Sequence, residues 1–153
     1  MPKLTLRTPR GFNFRRRGIG FIEGENSLDA GKRFNSLSRK TQEEMRNRID
    51  HWLSGNKHDK YHHGFPNDHT HHECYVLKHQ SLRLYGFLCN PKPETDRGFR
   101  LCVLTESADK HEWNTEPPIL DRAMQMLRDP RATEAIAVTY PEYSRGKREW
   151  TIN

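Results

Sequence analysis

Three short runs decide the fold: Glu73-Cys-Tyr-Val-Leu-Lys-His79, Leu82-Arg-Leu-Tyr-Gly-Phe-Leu88 and Phe99-Arg-Leu-Cys-Val-Leu-Thr105. Each mixes aromatic, β-branched and aliphatic residues over strand length. Turn formers separate them, most densely in Asn90-Pro-Lys-Pro-Glu-Thr-Asp-Arg-Gly98. The reading is an antiparallel meander. In its second strand, alternation sets Arg83, Tyr85 and Phe87 on one face and Leu82, Leu84 and Leu88 on the other. A cation beside an aromatic suits phosphate and base, so the sheet is expected to turn a face toward RNA. Lys78, Arg83, Arg100, Lys110 and His111 are strung along that segment.

Outward from the meander, Asn26 to Gly55 reads as a helix hairpin. Leu28, Phe34 and Leu37 mark a first short helix capped by Asn26 or Ser27. A second starts near Ser38 and sets Met45, Ile49, Trp52 and Leu53 on one stripe, closed by Gly55. Its other face, Lys40, Glu43, Arg46, Asn47 and Asp50, is a solvated one. After the meander, Pro117 and Pro118 suit a helix start, Ile119, Ala123, Met126 and Leu127 form its apolar stripe, and Asp129-Pro130 ends it. The compact run Ala135–Tyr140 reads as a final strand. The fold class is α+β, the meander packed against the N-terminal hairpin.

The ends differ from the middle. Residues 1–24 carry Lys3, Arg7, Arg10, Arg15, Arg16 and Arg17 with no acidic residue before Glu23. Two readings stand for this basic N-terminal arm, a phosphate-binding extension or a solvated, partly disordered leader, and Phe12, Phe14, Ile19, Phe21 and Ile22 could pin it to the body as an irregular strand. Residues 141–153 form a basic tail with Arg145, Lys147, Arg148 and Trp150. The α+β domain spans 25–140 between them.

Net charge of +6 and a pI of about 9.4 favour a polyanionic partner. A hydrophobic content of 33% and a mean hydropathy of −1.03 confine the core to a small volume. Three tryptophans and seven phenylalanines still argue against disorder. The odd count of three cysteines fits buried thiols better than a disulfide framework. No apolar run reaches bilayer-spanning length and no signal peptide is evident, so the expected compartment is the cytoplasm.

The tract Asn56–His72 holds His58, His62, His63, His69, His71 and His72. Its irregular spacing lacks the paired pattern of a zinc site. The expectation is an exposed loop that takes metal only adventitiously, and no metal or cofactor is assigned.

The order of helix hairpin, strand Glu73-Cys-Tyr-Val-Leu-Lys78, strand Arg83-Leu-Tyr85, a strand ending before Lys110-His111, then Thr115-Glu-Pro117 and a helix containing Ala123, resembles the RelE/HigB-type toxins. The resemblance covers roughly residues 28–128. It implies a small RelE-like α+β domain that cleaves mRNA in the ribosomal A site and is held inactive by a cognate antitoxin. Carried over, the family's strand arginine matches Arg83, its charged position one strand earlier matches Lys78, and its basic pair matches Lys110 and His111. Its threonine–proline helix start matches Thr115 and Pro117. The pair is commonly two lysines, and here the second is His111. The arm and the segment after Leu127 have no aligned counterpart.

The chemistry can be set out from the residues. RNA cleavage without a metal needs the 2′-hydroxyl deprotonated, the 5′-oxygen protonated and the pentacoordinate phosphate neutralised. Arg83 suits the last task, because its planar fork binds two phosphate oxygens. His111 suits proton transfer, with Lys78 or Lys110 able to share either role if desolvated. Tyr85 and Trp113 could stack on bases, with Arg100, Arg15, Arg16 and Arg17 on phosphates. Each has a structural alternative: Arg83 paired with Glu73 or Glu106, and Tyr85 or Trp113 packed in the core. The rivals to an endoribonuclease are a non-enzymatic RNA or ribosome binder, and a phage or mobile-element protein that docks an acidic host protein.

Overall fold

The computed structural model describes residues 2–109 and 116–143. Its elements run β1 (Thr5–Arg7), β2 (Arg17–Glu23), α1 (Ala30–Ser36), α2 (Arg39–Leu53), β3 (His62–Gly64), β4 (Cys74–His79), β5 (Leu82–Cys89), β6 (Arg100–Asp109), α3 (Glu116–Arg128) and α4 (Pro130–Thr139). They build one six-stranded sheet in the order β1-β2-β6-β5-β4-β3. The expected meander is β4-β5-β6, antiparallel throughout. β2 runs parallel to β6, with the helix hairpin and β3–β5 forming the crossover between them. The class is α+β, as expected, but the sheet is mixed and wider than the meander.

Helices cover both faces. Under α1 and α2 lie Ile19, Phe21, Leu77, Leu82, Leu84, Cys102 and Leu104, meeting Phe34, Met45, Ile49 and Trp52. The opposite face carries Phe87, Leu101 and Val103 beneath Met126, Ala132, Ala135 and Ile136. Next to them, Cys74, Val76 and Tyr85 lie beneath Ile119, Leu120, Ala123 and Met124. The Tyr85/Phe87 face, expected to turn toward RNA, is therefore roofed by α3 and α4. Burial of so many apolar side chains, at about 25 cal/mol per Å², outweighs anything gained by leaving that face wet.

Residues 2–24 do not form a separate arm: they supply β1 and β2 of the sheet. Gly18-Ile-Gly-Phe-Ile22 is buried without a break, the pattern of a strand covered on both faces. Its glycines admit neighbours closely: a Cβ at Gly20 would lie 2.7 Å from Leu6 Cδ1. The expected strand at Ala135–Tyr140 is instead the body of α4. Asp129 accepts from the Arg131 backbone N–H at 2.8 Å, and Pro130 occupies the first turn. Asp129-Pro130 thus ends one helix and starts another. α2 starts where expected, next to Ser38, which caps it by accepting from Thr41 N–H. Asp29, and not Asn26 or Ser27, precedes α1, and its carboxylate accepts from Ser107 N–H and Oγ–H.

The histidine tract is folded in more than expected. His62 is 1% exposed and His71 8%. His71 bridges Asp68, at 2.7 Å from Nδ1, and Asp121 of α3, at 2.6 Å from Nε2, stapling the loop to that helix. Cys74, Cys89 and Cys102 are free and buried, as expected. Among the described residues, no helix is long and apolar enough to cross a membrane.

Candidate nucleic-acid interface

The expected site residues divide between the two ends of the sheet. At one end, register pairs Lys78 of β4 directly with Arg83 of β5. Opposed residues of an antiparallel pair share a face with Cβ atoms roughly 4.5–5.5 Å apart. Arg83 does not pair with Glu73 or Glu106. Its Nη1 donates to the carbonyls of Gln80 at 2.5 Å and Leu82 at 3.0 Å. Gln80 sits at φ 54 in the tight β4–β5 turn, which turns its carbonyl toward the arginine. Nε of Arg83 is buried with no partner among the described residues. Two carbonyls thus fix the guanidinium in place without neutralising it. Arg83 also lies opposite Ala108 of β6, two residues before Lys110 in the chain. Lys110, His111 and Trp113 lie outside the described residues.

Tyr85 is adjacent but closed off. It is 1% exposed, and its hydroxyl donates to Glu116 Oε2 at 2.7 Å. Burial first, and Glu116 second, push its hydroxyl well above the ordinary value. A ring in that position has no face to offer a base, so the expected stacking role is withdrawn in favour of packing under α3. Glu106 is held by Arg122 in a two-point ion pair at 2.8 and 2.9 Å.

Arg15, Arg16, Arg17 and Arg100 gather at the other end of the sheet, where Arg17 pairs in register with Arg100. Counted along β6 from Arg100 to Ala108, the separation from Arg83 is about 25 Å at roughly 3.3 Å per residue. Arg15, Arg16 and Arg100 are exposed. Arg17 stacks on Trp52, 5.0 Å from the ring centroid, and donates to the Trp52 carbonyl at 2.8 Å. The four arginines line a cleft of about 1120 Å³ beside the C-terminus of α2, with no carboxylate among its lining residues. One short segment does not gather all the cations: Arg83 lies at one end and Arg15, Arg16 and Arg100 at the other, while Lys78 and Arg17 line a common hollow between them.

Sequence reasoning gave no role to Tyr75 or His51, and read His62 as part of an exposed loop. His62 Nδ1 lies 2.7 Å from the Tyr75 hydroxyl and Nε2 lies 3.0 Å from His51 Nδ1. Burial, then the neighbouring His51, Arg17 and His58, hold His62 down to about 4, so the imidazole is neutral near pH 7. Tyr75 falls on the α2 side by simple alternation with Leu77, the signal that could have singled it out. Among the described residues, no group of three or more His, Cys, Asp or Glu is arranged to hold a metal ion. No protein-family model matches the chain, and no curated protein or solved structure is significantly similar to it.

Proposed function

We propose that this protein is an endoribonuclease toxin of RelE/HigB type that cleaves mRNA, on the ribosome, without a metal, and that a cognate antitoxin restrains it. The observation that carries the reading is the cross-strand pair of Lys78 and Arg83. The register sets one cation from each strand on the same face, so a phosphate reaching both would be held by two positive charges. Arg83, fixed through Nη1, is suited to the charge that develops on the phosphorane oxygens. The 2′-oxygen attacks phosphorus, its proton passes to a base, and the 5′-oxygen departs with a proton from an acid. The products are a 2′,3′-cyclic phosphate and a 5′-hydroxyl. Lys110 and His111, which follow β6 in sequence, are proposed for the proton transfers.

Purified protein mixed with a defined mRNA and chelator tests this. The expected products carry cyclic phosphate ends, and Arg83→Ala lowers the rate about 100-fold, the scale for loss of one charge-stabilising donor. Lys78→Ala lowers it less. Cleavage that needs added metal, or that survives Arg83→Ala at full rate, refutes the proposal. The second reading, a non-enzymatic RNA or ribosome binder, is favoured by the arginine cleft at the opposite end of the sheet. It is identified by tight RNA binding with no cleavage to lose.

A further inference from the structure

The arginine cleft does not end at Arg17. That residue also lines a second hollow of about 680 Å³, whose walls include Lys57, His62, Phe65, Tyr75, Lys78 and Leu88. Asp59 is the carboxylate among its lining residues. Tyr75 and Leu88 are half-buried, and each shows a partly open apolar surface to the hollow. The cleft and the hollow therefore share one cation, with phosphate-binding charge on one side and an apolar floor on the other.

Three features suit this end to a nucleotide chain. The hydrogen bonds from His62 to Tyr75 and His51 fix the aromatic ring before anything binds, which lowers the ordering cost of stacking on it. The carbonyl end of α2 would repel a phosphate, but Arg17 donates to the Trp52 carbonyl there and sets positive charge against the helix terminus. Arg15, Arg16 and Arg100 extend into solvent beyond it.

We propose that cleft and hollow together form a track for single-stranded RNA. Arg15, Arg16 and Arg100 take backbone phosphates, Arg17 joins the two compartments, and the Tyr75–Leu88 hollow takes one unpaired base. A duplex keeps its bases stacked inside and cannot fill the hollow. This rests on the reading of the protein as one that handles RNA, and it is independent of whether RNA is cut.

A fluorescent 2′-O-methyl oligonucleotide of about ten residues, within the usual site size of ~4–16, separates binding from cleavage because it has no free 2′-hydroxyl. Anisotropy titrations over a range of salt are expected to show the single strand bound more tightly than its duplex. The Arg15→Ala/Arg16→Ala pair should reduce the slope of log affinity against log salt by about 1.4, at roughly 0.7 per lost single-strand phosphate contact. Leu88→Trp fills the hollow and should weaken binding about tenfold, within the range for one lost base contact. If Leu88→Trp does not fold, the wild-type chain carrying a 4-thiouridine oligonucleotide should crosslink to the Tyr75 strand or to Lys57. Wild-type affinity in the arginine variant, equal binding of duplex, crosslinks confined to other strands, or equal competition by polyglutamate would each overturn the track. Loss of cleavage in Arg83→Ala with unchanged binding in the arginine variant refutes the track and spares the nuclease reading; the reverse pattern does the opposite.

Discussion

Gly86 sits at the tightest point of the sheet, and replacing it tests the register on which both proposed sites depend. The β5–β6 ladder slips between Tyr85 and Gly86: Tyr85 opposes Glu106, Gly86 opposes Leu104, and Thr105 is left as the extra residue. The Thr105 hydroxyl donates to the Tyr85 carbonyl at 3.1 Å, closing the bulge. A Cβ at Gly86 would lie 1.9 Å from the Val103 carbonyl oxygen and 2.8 Å from Leu104 Cα. Both are backbone atoms in the middle of a sheet and cannot swing aside. Reaching ordinary contact at 3.4 Å moves the strands apart by 3.4 − 1.9 = 1.5 Å. That disrupts neighbouring ladder hydrogen bonds, each contributing about 1 kcal/mol net. Residual backbone strain adds ~1–3 kcal/mol. Gly86→Ala should thus cost roughly 3–5 kcal/mol, a large share of the ~5–15 kcal/mol that holds a domain together. At about 2–4 °C per kcal/mol for a chain of this size, the melting midpoint by circular dichroism should fall by roughly 6–20 °C. A fall of under about 2 °C would mean that this register is wrong.

Tyr85→Phe should lower stability by about 1–2 kcal/mol in urea titrations, through loss of the bond to Glu116, and leave RNA affinity unchanged; weaker RNA binding at unchanged stability would restore the base-stacking role. Two histidines should shape the pH dependence of stability in opposite directions. His71 is held above its ordinary 6.5, first by Asp121 and then by Asp68, so its contribution is complete below pH 6.5 and lost as pH rises through its folded value. His62, held down to about 4 by burial, costs stability as pH falls from 6.5 toward 4, where the unfolded chain takes up the proton first. Urea midpoints across pH should show His71→Gln flattening the upper limb and His62→Gln the lower one; unchanged profiles would contradict both environments. Burial pushes the Cys74 and Cys89 thiols up to about 12 and raises Cys102 as well. All three should resist a disulfide reagent until the chain is denatured, and rapid reaction of any of them in the native protein would contradict its burial.

The meander and α2 were legible because their periods were unbroken: strand alternation bounded by turns, and a 3.6-residue stripe ended by Gly55. β2 was harder to read. Gly18 and Gly20 look like loop residues, and a strand buried on both faces shows no alternation to reveal it. The run Ala-Ile-Ala-Val-Thr-Tyr140 was ambiguous between a buried strand and a short helix, and the Asp129-Pro130 start signal decided it. The site was only partly legible. Alternation grouped Arg83 with Tyr85, but the pairing with Lys78 comes from the β4–β5 register, and no local pattern could show that α3 and α4 would cover the surface beside them. Nor could local spacing bring Arg15–Arg17 next to Arg100, because that adjacency comes from the long parallel pairing of β2 with β6.

The central claim is that Arg83 and Lys78 grip the phosphate that is cut. The most direct measurement maps mRNA 5′ ends after induction of the protein in translating and non-translating extracts, with wild type beside Arg83→Ala. The account predicts new ends that need both translation and Arg83. Identical end patterns for the two proteins, or no new ends from either, would contradict it.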